Sequence, residues 1–82
     1  MNNNNIKYNK IFANVLGVRI DDKTDLDNLR RNEISAWDSL GHISLVSALE
    51  KEFSIRLEPN DIKKFASYHD GIEILNMHDI EM

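Results

Sequence analysis

The sequence predicts an all-α fold, a small four-helix bundle with three longer helices, one short helix and a long loop between helices 1 and 2. Apolar residues recur at helical spacing in several segments, and no segment keeps the apolar–polar alternation of a strand. Gly17 and Pro59 stand where the end of one helix and the start of another favour these residue types. The 82 residues are enough for one small domain.

The first helix is predicted by apolar residues at i, i+3, i+4, i+7 and i+8: Tyr8, Ile11, Phe12, Val15 and Leu16. The asparagine-rich residues 1–5 before it are expected to form a disordered leader. Residues 18–36 after it show no period and predict a long loop, with a short helical turn within residues 25–30. Scattered apolar side chains would pin this loop to the core: Ile20, Leu26, Leu29 and Ile34.

The second helix is predicted over residues 39–53, where apolar side chains form one stripe: Leu45, Val46, Leu49 and Phe53. Pro59 then suits the first turn of a short third helix over residues 60–66, and Ser67 suits the N-cap of a last helix over residues 68–77. Apolar side chains of these two helices are expected to face inward: Ile62, Phe65, Tyr68, Ile72 and Leu75. The chain thus divides into a leader (1–5), a folded domain (6–77) and a C-terminal tail (78–82).

The composition excludes several kinds of site. The chain has no cysteine, which removes disulfides, thiolate metal ligands and cysteine nucleophiles. A net charge of −4 without a clustered basic face argues against nucleic acid as a partner. No apolar run approaches the length of a membrane span and no export signal opens the chain, so we expect a cytoplasmic protein. Nothing in the sequence requires more than a monomer.

Ser39 lies where a polar loop meets the start of the second helix, in the segment WDSLGHI (37–43). The first N–H groups of a helix lack internal partners, and the helix dipole places partial positive charge there, which stabilises an anion. Asp38 and Ser39 are both suited to cap this end. The same field would stabilise a phosphodiester on the Ser39 hydroxyl. A simple cap and a site of covalent modification are both open at this point.

The helical wheel places Leu40 opposite the apolar stripe of the second helix, on a face shared with Ser44, Ser47 and Lys51. Such a face would form a shallow docking surface beside Ser39, unless Leu40 folds under the long loop. One interpretation of the chain is therefore an unmodified helical protein-interaction module that binds through this face. A helix-turn-helix DNA-binding protein is disfavoured by the net charge.

The segment DSL (38–40), followed by LV (45–46), ALE (48–50), EF (52–53) and Ile55, resembles an acyl carrier protein. The resemblance spans roughly residues 6–77, and the order helix, long loop, helix, short helix, helix agrees with it. It implies that Ser39 carries 4′-phosphopantetheine, added from coenzyme A by a phosphopantetheinyl transferase that uses magnesium. Asp38 would then help the transferase to engage the site.

The resemblance also implies a carrier that is not itself an enzyme. The arm ends in a thiol that holds acyl or aminoacyl groups as thioesters, and it would supply the thiol that this chain lacks. The implied partners are the transferase, a ligase that loads acyl or aminoacyl groups, and a downstream transferase or synthase. Residues of the exposed face would contact these partners: Leu40, Ser44, Ser47 and Lys51.

The second helix departs from the acidic helix that is typical of carriers in fatty acid synthesis. Glu50 and Glu52 lie toward the flanks of its exposed face, and Lys51 lies on it. The lower negative charge should weaken electrostatic steering toward basic partners. This pattern favours a dedicated carrier of a polysaccharide, lipid-modification or secondary-metabolite pathway over the main carrier of fatty acid synthesis.

Other candidate residues have structural interpretations. His42 falls within the apolar stripe and is predicted to be partly buried and hydrogen-bonded rather than catalytic or metal-binding. Trp37 is predicted to be a packing anchor for the long loop. The loop also carries aspartates without the glycine and glutamate of a calcium loop, which predicts a solvated surface: Asp21, Asp22, Asp25 and Asp27.

Overall fold

The protein is described here by a computed structural model that covers residues 3–82. Four α-helices make up the bundle: α1 (Asn3–Leu16), α2 (Ser39–Phe53), α3 (Pro59–Lys64) and α4 (Tyr68–Met77). A 3₁₀ turn at Leu26–Asn28 interrupts the loop between α1 and α2. Residues 3–82 contain no β-strand, and a single antiparallel bridge pairs Arg30 with Ser67. The predicted all-α bundle with one short helix and a long first loop is confirmed.

The helix ends follow from local chemistry. Gly17 ends α1 with a φ of 70°, a left-handed conformation that glycine adopts without steric cost. Pro59 occupies the first turn of α3, and the Ser67 side chain accepts a hydrogen bond from the Asp70 amide at the start of α4. The third helix ends at Lys64 rather than residue 66 because the backbone of Phe65 turns to an extended conformation.

The core is built around aromatic rings from α1, the long loop and the α3–α4 region. Phe12 packs edge-on against Trp37 and Tyr68, with ring centroids 5.5 and 5.4 Å apart, a favourable arrangement for aromatic pairs. The predicted stripe of α2 faces this cluster, and all of its members are buried: Leu45, Val46, Leu49 and Phe53. In α4, Ile72 is only partly buried and Ile74 takes the buried position instead.

The long loop is held against the bundle, as its scattered apolar residues predict. Leu29 is buried, and the other predicted pins are partly buried against the core: Ile20, Leu26 and Ile34. The Tyr68 amide donates to the Leu29 carbonyl over 2.8 Å, and the Arg31 amide donates to the Ala66 carbonyl over 2.9 Å. These bonds join the loop to the start of α4 and thereby fix the course of the chain that leads into α2 and Ser39.

The chain ends differ in detail from the predicted division. The first helix begins at Asn3, so residues 3–5 of the predicted leader are helical and continue the helix of the amphipathic segment. Met1 and Asn2, the rest of the predicted leader, lie outside the described residues. The tail after residue 77 packs back on the bundle, with Ile80 and Met82 partly buried against the core. The division into domains otherwise stays a prediction.

Candidate functional site

The first turn of α2 is capped by Asp38 rather than by Ser39. Asp38 has an extended backbone, and its Oδ1 atom accepts a hydrogen bond of 2.9 Å from the Gly41 amide. Ser39 is the first residue of the helix itself. The choice between the two caps, which the sequence left open, is therefore decided in favour of Asp38.

Ser39 is exposed, and its neighbours Asp38 and Leu40 are exposed as well. Within residues 3–82, no side chain or backbone group forms a hydrogen bond with the Ser39 hydroxyl. The hydroxyl lies at the end of α2 where backbone N–H groups and the helix dipole favour negative charge. An oxygen in this position is accessible to a large reagent and is next to a field that stabilises an anion.

The backbone on both sides of Ser39 is held firmly. A Cβ atom at Gly41 would lie 2.1 Å from the carbonyl oxygen of Ala36, so only glycine allows the loop to pack this closely on α2. Trp37, the next loop residue, is only 2% exposed, which confirms the predicted packing anchor. The Ser39 side chain is thus exposed, although the backbone on both sides of it is tightly packed.

His42 links three parts of the fold next to Ser39. It is 6% exposed; its Nδ1 atom lies 2.9 Å from Trp37 Nε1, and its Nε2 atom lies 2.9 Å from the Ile62 carbonyl oxygen. The Trp37 ring stacks near the imidazole, with centroids 6.2 Å apart. The prediction of a buried, hydrogen-bonded histidine is confirmed.

The exposed face of α2 contains Leu40, as predicted, and also Ile43, which the sequence analysis missed. Leu40 is 77% exposed and so does not fold under the loop, and Ile43 is 63% exposed one turn further on. Ser44, Ser47 and Lys51 are exposed on the same side of the helix. The helical wheel also places Ile43 outside the buried stripe, so the signal for it was present in the spacing.

Of the two acidic residues beside this face, Glu52 is exposed, but Glu50 is less available than its sequence position suggests. Glu50 is partly buried, and its Oε2 atom accepts a hydrogen bond of 2.8 Å from the Leu57 amide. This contact turns the Glu50 carboxylate toward the connector between α2 and α3. The patch of Leu40, Ile43, Ser44 and Ser47 is therefore uncharged, with Lys51 at its far end.

A comparison with curated proteins finds a relative that matches nearly the whole chain. The chain is 29% identical over 76 residues to the acyl carrier protein of Buchnera aphidicola subsp. Schizaphis graminum (strain Sg), across 93% of this chain and 94% of that protein. This match supports the resemblance of the chain to the acyl carrier protein family. No protein-family model matches the chain, and no solved structure matches it significantly. The likeness and the all-helical fold together support a carrier role in general.

Two clefts among residues 3–82 of this acyl carrier protein-like chain lie away from Ser39. The larger, of about 550 Å³, is formed by α1, loop residues 19–26 and Tyr68, without any residue of α2. The smaller, of about 290 Å³, lies between α3 and α4. Neither cleft brings further candidate residues to the serine, so the site consists of the α2 end and its exposed face.

The remaining candidates are engaged in local structure. Asp21 accepts from the Lys23 amide and Asp25 accepts from the Asp27 amide, as expected of turn residues. Asp27 pairs with His69 across 2.9 Å, and both side chains are well exposed. Within residues 3–82, no three histidine or acidic side chains are placed to hold a metal ion. In the same part of the chain, no helix has the length and apolar character needed to cross a membrane.

Proposed function

We propose that this chain carries acyl or aminoacyl groups as thioesters on a 4′-phosphopantetheine arm attached to Ser39. The observation that carries the proposal is the exposed Ser39 hydroxyl, unbonded within residues 3–82, at the electropositive end of α2. A phosphodiester at this end of a helix gains about 0.3–1 kcal/mol from the dipole. The arm would supply the thiol that a chain without cysteine cannot provide.

The modification requires little of the carrier beyond an accessible oxygen. The Ser39 oxygen forms a bond to the phosphorus of the phosphopantetheine group of coenzyme A, and adenosine 3′,5′-bisphosphate leaves. The hydroxyl proton passes to a base of the phosphopantetheinyl transferase, which uses magnesium. Because the capping bond involves only Asp38 Oδ1, the Oδ2 atom of Asp38 is left to engage the transferase beside Ser39.

The exposed face of α2 is the surface that we propose for the transferase, the loading ligase and the downstream transferase or synthase. Leu40 and Ile43 offer apolar contact, Ser44 and Ser47 allow close approach, and Lys51 provides the charge at the end. A surface without a carboxylate cluster gives little electrostatic steering toward a basic partner. This supports a carrier dedicated to a polysaccharide, lipid-modification or secondary-metabolite pathway, and we propose that it acts in the cytoplasm.

The test is the uptake of phosphopantetheine, measured as the intact mass of the protein. The chain is incubated with coenzyme A, magnesium and a broad-specificity phosphopantetheinyl transferase, beside an established carrier as a positive control. We expect one phosphopantetheine group per chain. Ser39→Ala should abolish the gain, whereas Ser35→Ala, which changes an exposed serine of the preceding loop outside the α2 face, should not.

A different result would separate the two functional classes. If the established carrier is modified and this chain is not, the carrier proposal fails. The exposed Leu40 and Ile43 would then support the alternative, an unmodified interaction module that binds a partner through α2.

A further inference from the structure

We propose that His42 is a positioning residue for Ser39, because one of its hydrogen bonds closes the segment that carries the serine, at Trp37, and the other joins that segment to Ile62 of α3. The inference rests on the proposed function and deepens it, since it concerns the rate at which the same serine is modified. Ser39 makes no side-chain bond of its own within residues 3–82. Its location is therefore determined by the backbone on either side and by whatever holds that backbone.

The two bonds of His42 define one form of the imidazole ring. The indole N–H of Trp37 can only donate, so Nδ1 of His42 must accept and the ring proton must be on Nε2. Nε2 then donates to the Ile62 carbonyl. One neutral tautomer of His42 thus provides hydrogen-bond partners for the indole N–H of Trp37 and for the Ile62 carbonyl at the same time.

The Ile62 carbonyl needs this bond because α3 ends too early to provide one. In a longer helix the carbonyl would accept from the amide of Ala66. Here the Ala66 amide donates to the carboxylate of Asp70 instead, over 3.1 Å. His42 therefore caps the C-terminal end of α3 with a side chain that belongs to the first turn of α2.

The Trp37–His42 bond closes a short loop of chain with Ser39 inside it. The Asp38 cap and the close contact of Ala36 with Gly41 hold the same segment from its other side. A change at His42 would loosen the closure at Trp37 and the cap of α3 at once. The expected consequence is a Ser39 hydroxyl that is still exposed but less well placed for the transferase.

Two substitutions separate the two bonds. The side-chain oxygen of asparagine lies near the position of Nδ1, so His42→Asn keeps an acceptor for Trp37. The side-chain nitrogen of glutamine lies near the position of Nε2, so His42→Gln keeps a donor for Ile62. The matched control is Tyr8→Phe, which removes a buried hydrogen bond of 2.7 Å to the Tyr68 carbonyl, outside the segment that carries Ser39.

Steady-state kinetics of the transferase distinguishes positioning from a general loss of stability. We expect His42→Gln to lower kcat about tenfold or more with a small change in KM, because misplacement of a reacting group slows the chemical step. His42→Asn should lower kcat less than His42→Gln does, and Tyr8→Phe should be modified at the wild-type rate. Equal rates for His42→Gln and Tyr8→Phe would overturn the inference.

A second measurement does not depend on modification. Trp37 is the one tryptophan, so its indole N–H gives an unambiguous NMR resonance. His42→Gln should shift this resonance together with the amide resonances of Ser39 and Leu40, whereas Tyr8→Phe should leave them in place. If the wild-type chain takes up no phosphopantetheine, the proposed function fails. Unshifted amide resonances of Ser39 and Leu40 in His42→Gln would contradict the positioning role, whatever the result of the modification assay.

Discussion

The backbone of Gly71 in α4 packs directly against the Tyr8 side chain of α1, so that a Cβ atom at residue 71 would lie 2.0 Å from the Tyr8 hydroxyl oxygen. The same atom would lie 2.7 Å from Cε1 of Phe65. Both rings are almost completely buried and cannot move aside easily. The contact explains why a glycine occupies the interior of a helix.

Gly71→Ala should therefore destabilise the protein, although this change in an open helix stabilises by about 1 kcal/mol. We expect the free energy of unfolding to fall by about 1–3 kcal/mol because of overpacking. Urea unfolding measures it, with Glu73→Ala at an exposed position of α4 as the control. Tyr8→Phe should partly relieve the clash in the double variant. An increase in stability for Gly71→Ala would contradict the packing described.

The cap of α2 predicts different costs for neighbouring substitutions. Asp38→Ala removes the bond to the Gly41 amide and should lower the free energy of unfolding by about 1 kcal/mol. Ser39→Ala removes no hydrogen bond and should change it by less than about 0.5 kcal/mol. Thermal or urea unfolding of the two variants provides the comparison. Equal losses would mean that Ser39 contributes to the cap.

Burial raises the pKa of Tyr8 well above its ordinary value, and the nearby Tyr68 and Asp70 raise it further. A raised pKa in the folded state means that the contribution to stability is complete below the unfolded value of 10.0 and is lost as pH rises above it. The free energy of unfolding should therefore fall above about pH 10, less steeply in Tyr8→Phe than in the wild type. Urea unfolding in alkaline buffers measures this. If Tyr8 did not cause the loss of stability, the free energy of unfolding would fall with pH equally in the wild type and in Tyr8→Phe.

The end of α4 is joined to the first turn of α3 by His78, whose Nε2 atom lies 2.8 Å from Asp61 Oδ2. The hydrogen bond from His78 lowers the pKa of Asp61, an effect that burial partly opposes and the Glu58 amide reinforces. A lowered pKa stabilises the fold above the unfolded value of 3.8, and this contribution is lost as pH falls through the folded value.

Asp61→Asn should consequently lower the free energy of unfolding at neutral pH and flatten its decrease below about pH 4. Glu73→Gln, which changes an exposed carboxylate of α4, is the matched control. Urea unfolding from neutral to acidic pH measures both. If the difference between the wild type and Asp61→Asn were constant over this range, the pairing would have no linkage to protonation.

The exposed Leu40 should matter for recognition and not for folding. Leu40→Ser should lower kcat/KM for the transferase about tenfold, a loss of the size expected for one apolar interface contact. Met77→Ser, at a residue that is 72% exposed at the end of α4, should leave it unchanged. Neither change should alter the free energy of unfolding by more than about 0.5 kcal/mol. Equal kinetic losses would exclude a specific role for the α2 face.

The helices could be predicted because their signals are local. The stripe of α2 and the capping residue Ser67 give bounds that the structure repeats, residues 39–53 and 68–77. The end of α3 was predicted two residues too late, since it depends on Phe65 turning into the core and on Asp70 taking the Ala66 amide. Such competition between distant groups leaves no period in the sequence.

The candidate site divides in the same way. Sequence alone determined that a capping pair precedes an amphipathic helix, and that Ser39 lies at its electropositive end, because capping and the dipole act within one turn. Only the tertiary structure decided that Leu40 and Ile43 are exposed and that His42 joins Trp37 to Ile62. Those features require elements far apart in the chain to meet, and the packing of a three-dimensional core decides which side chains remain outside it.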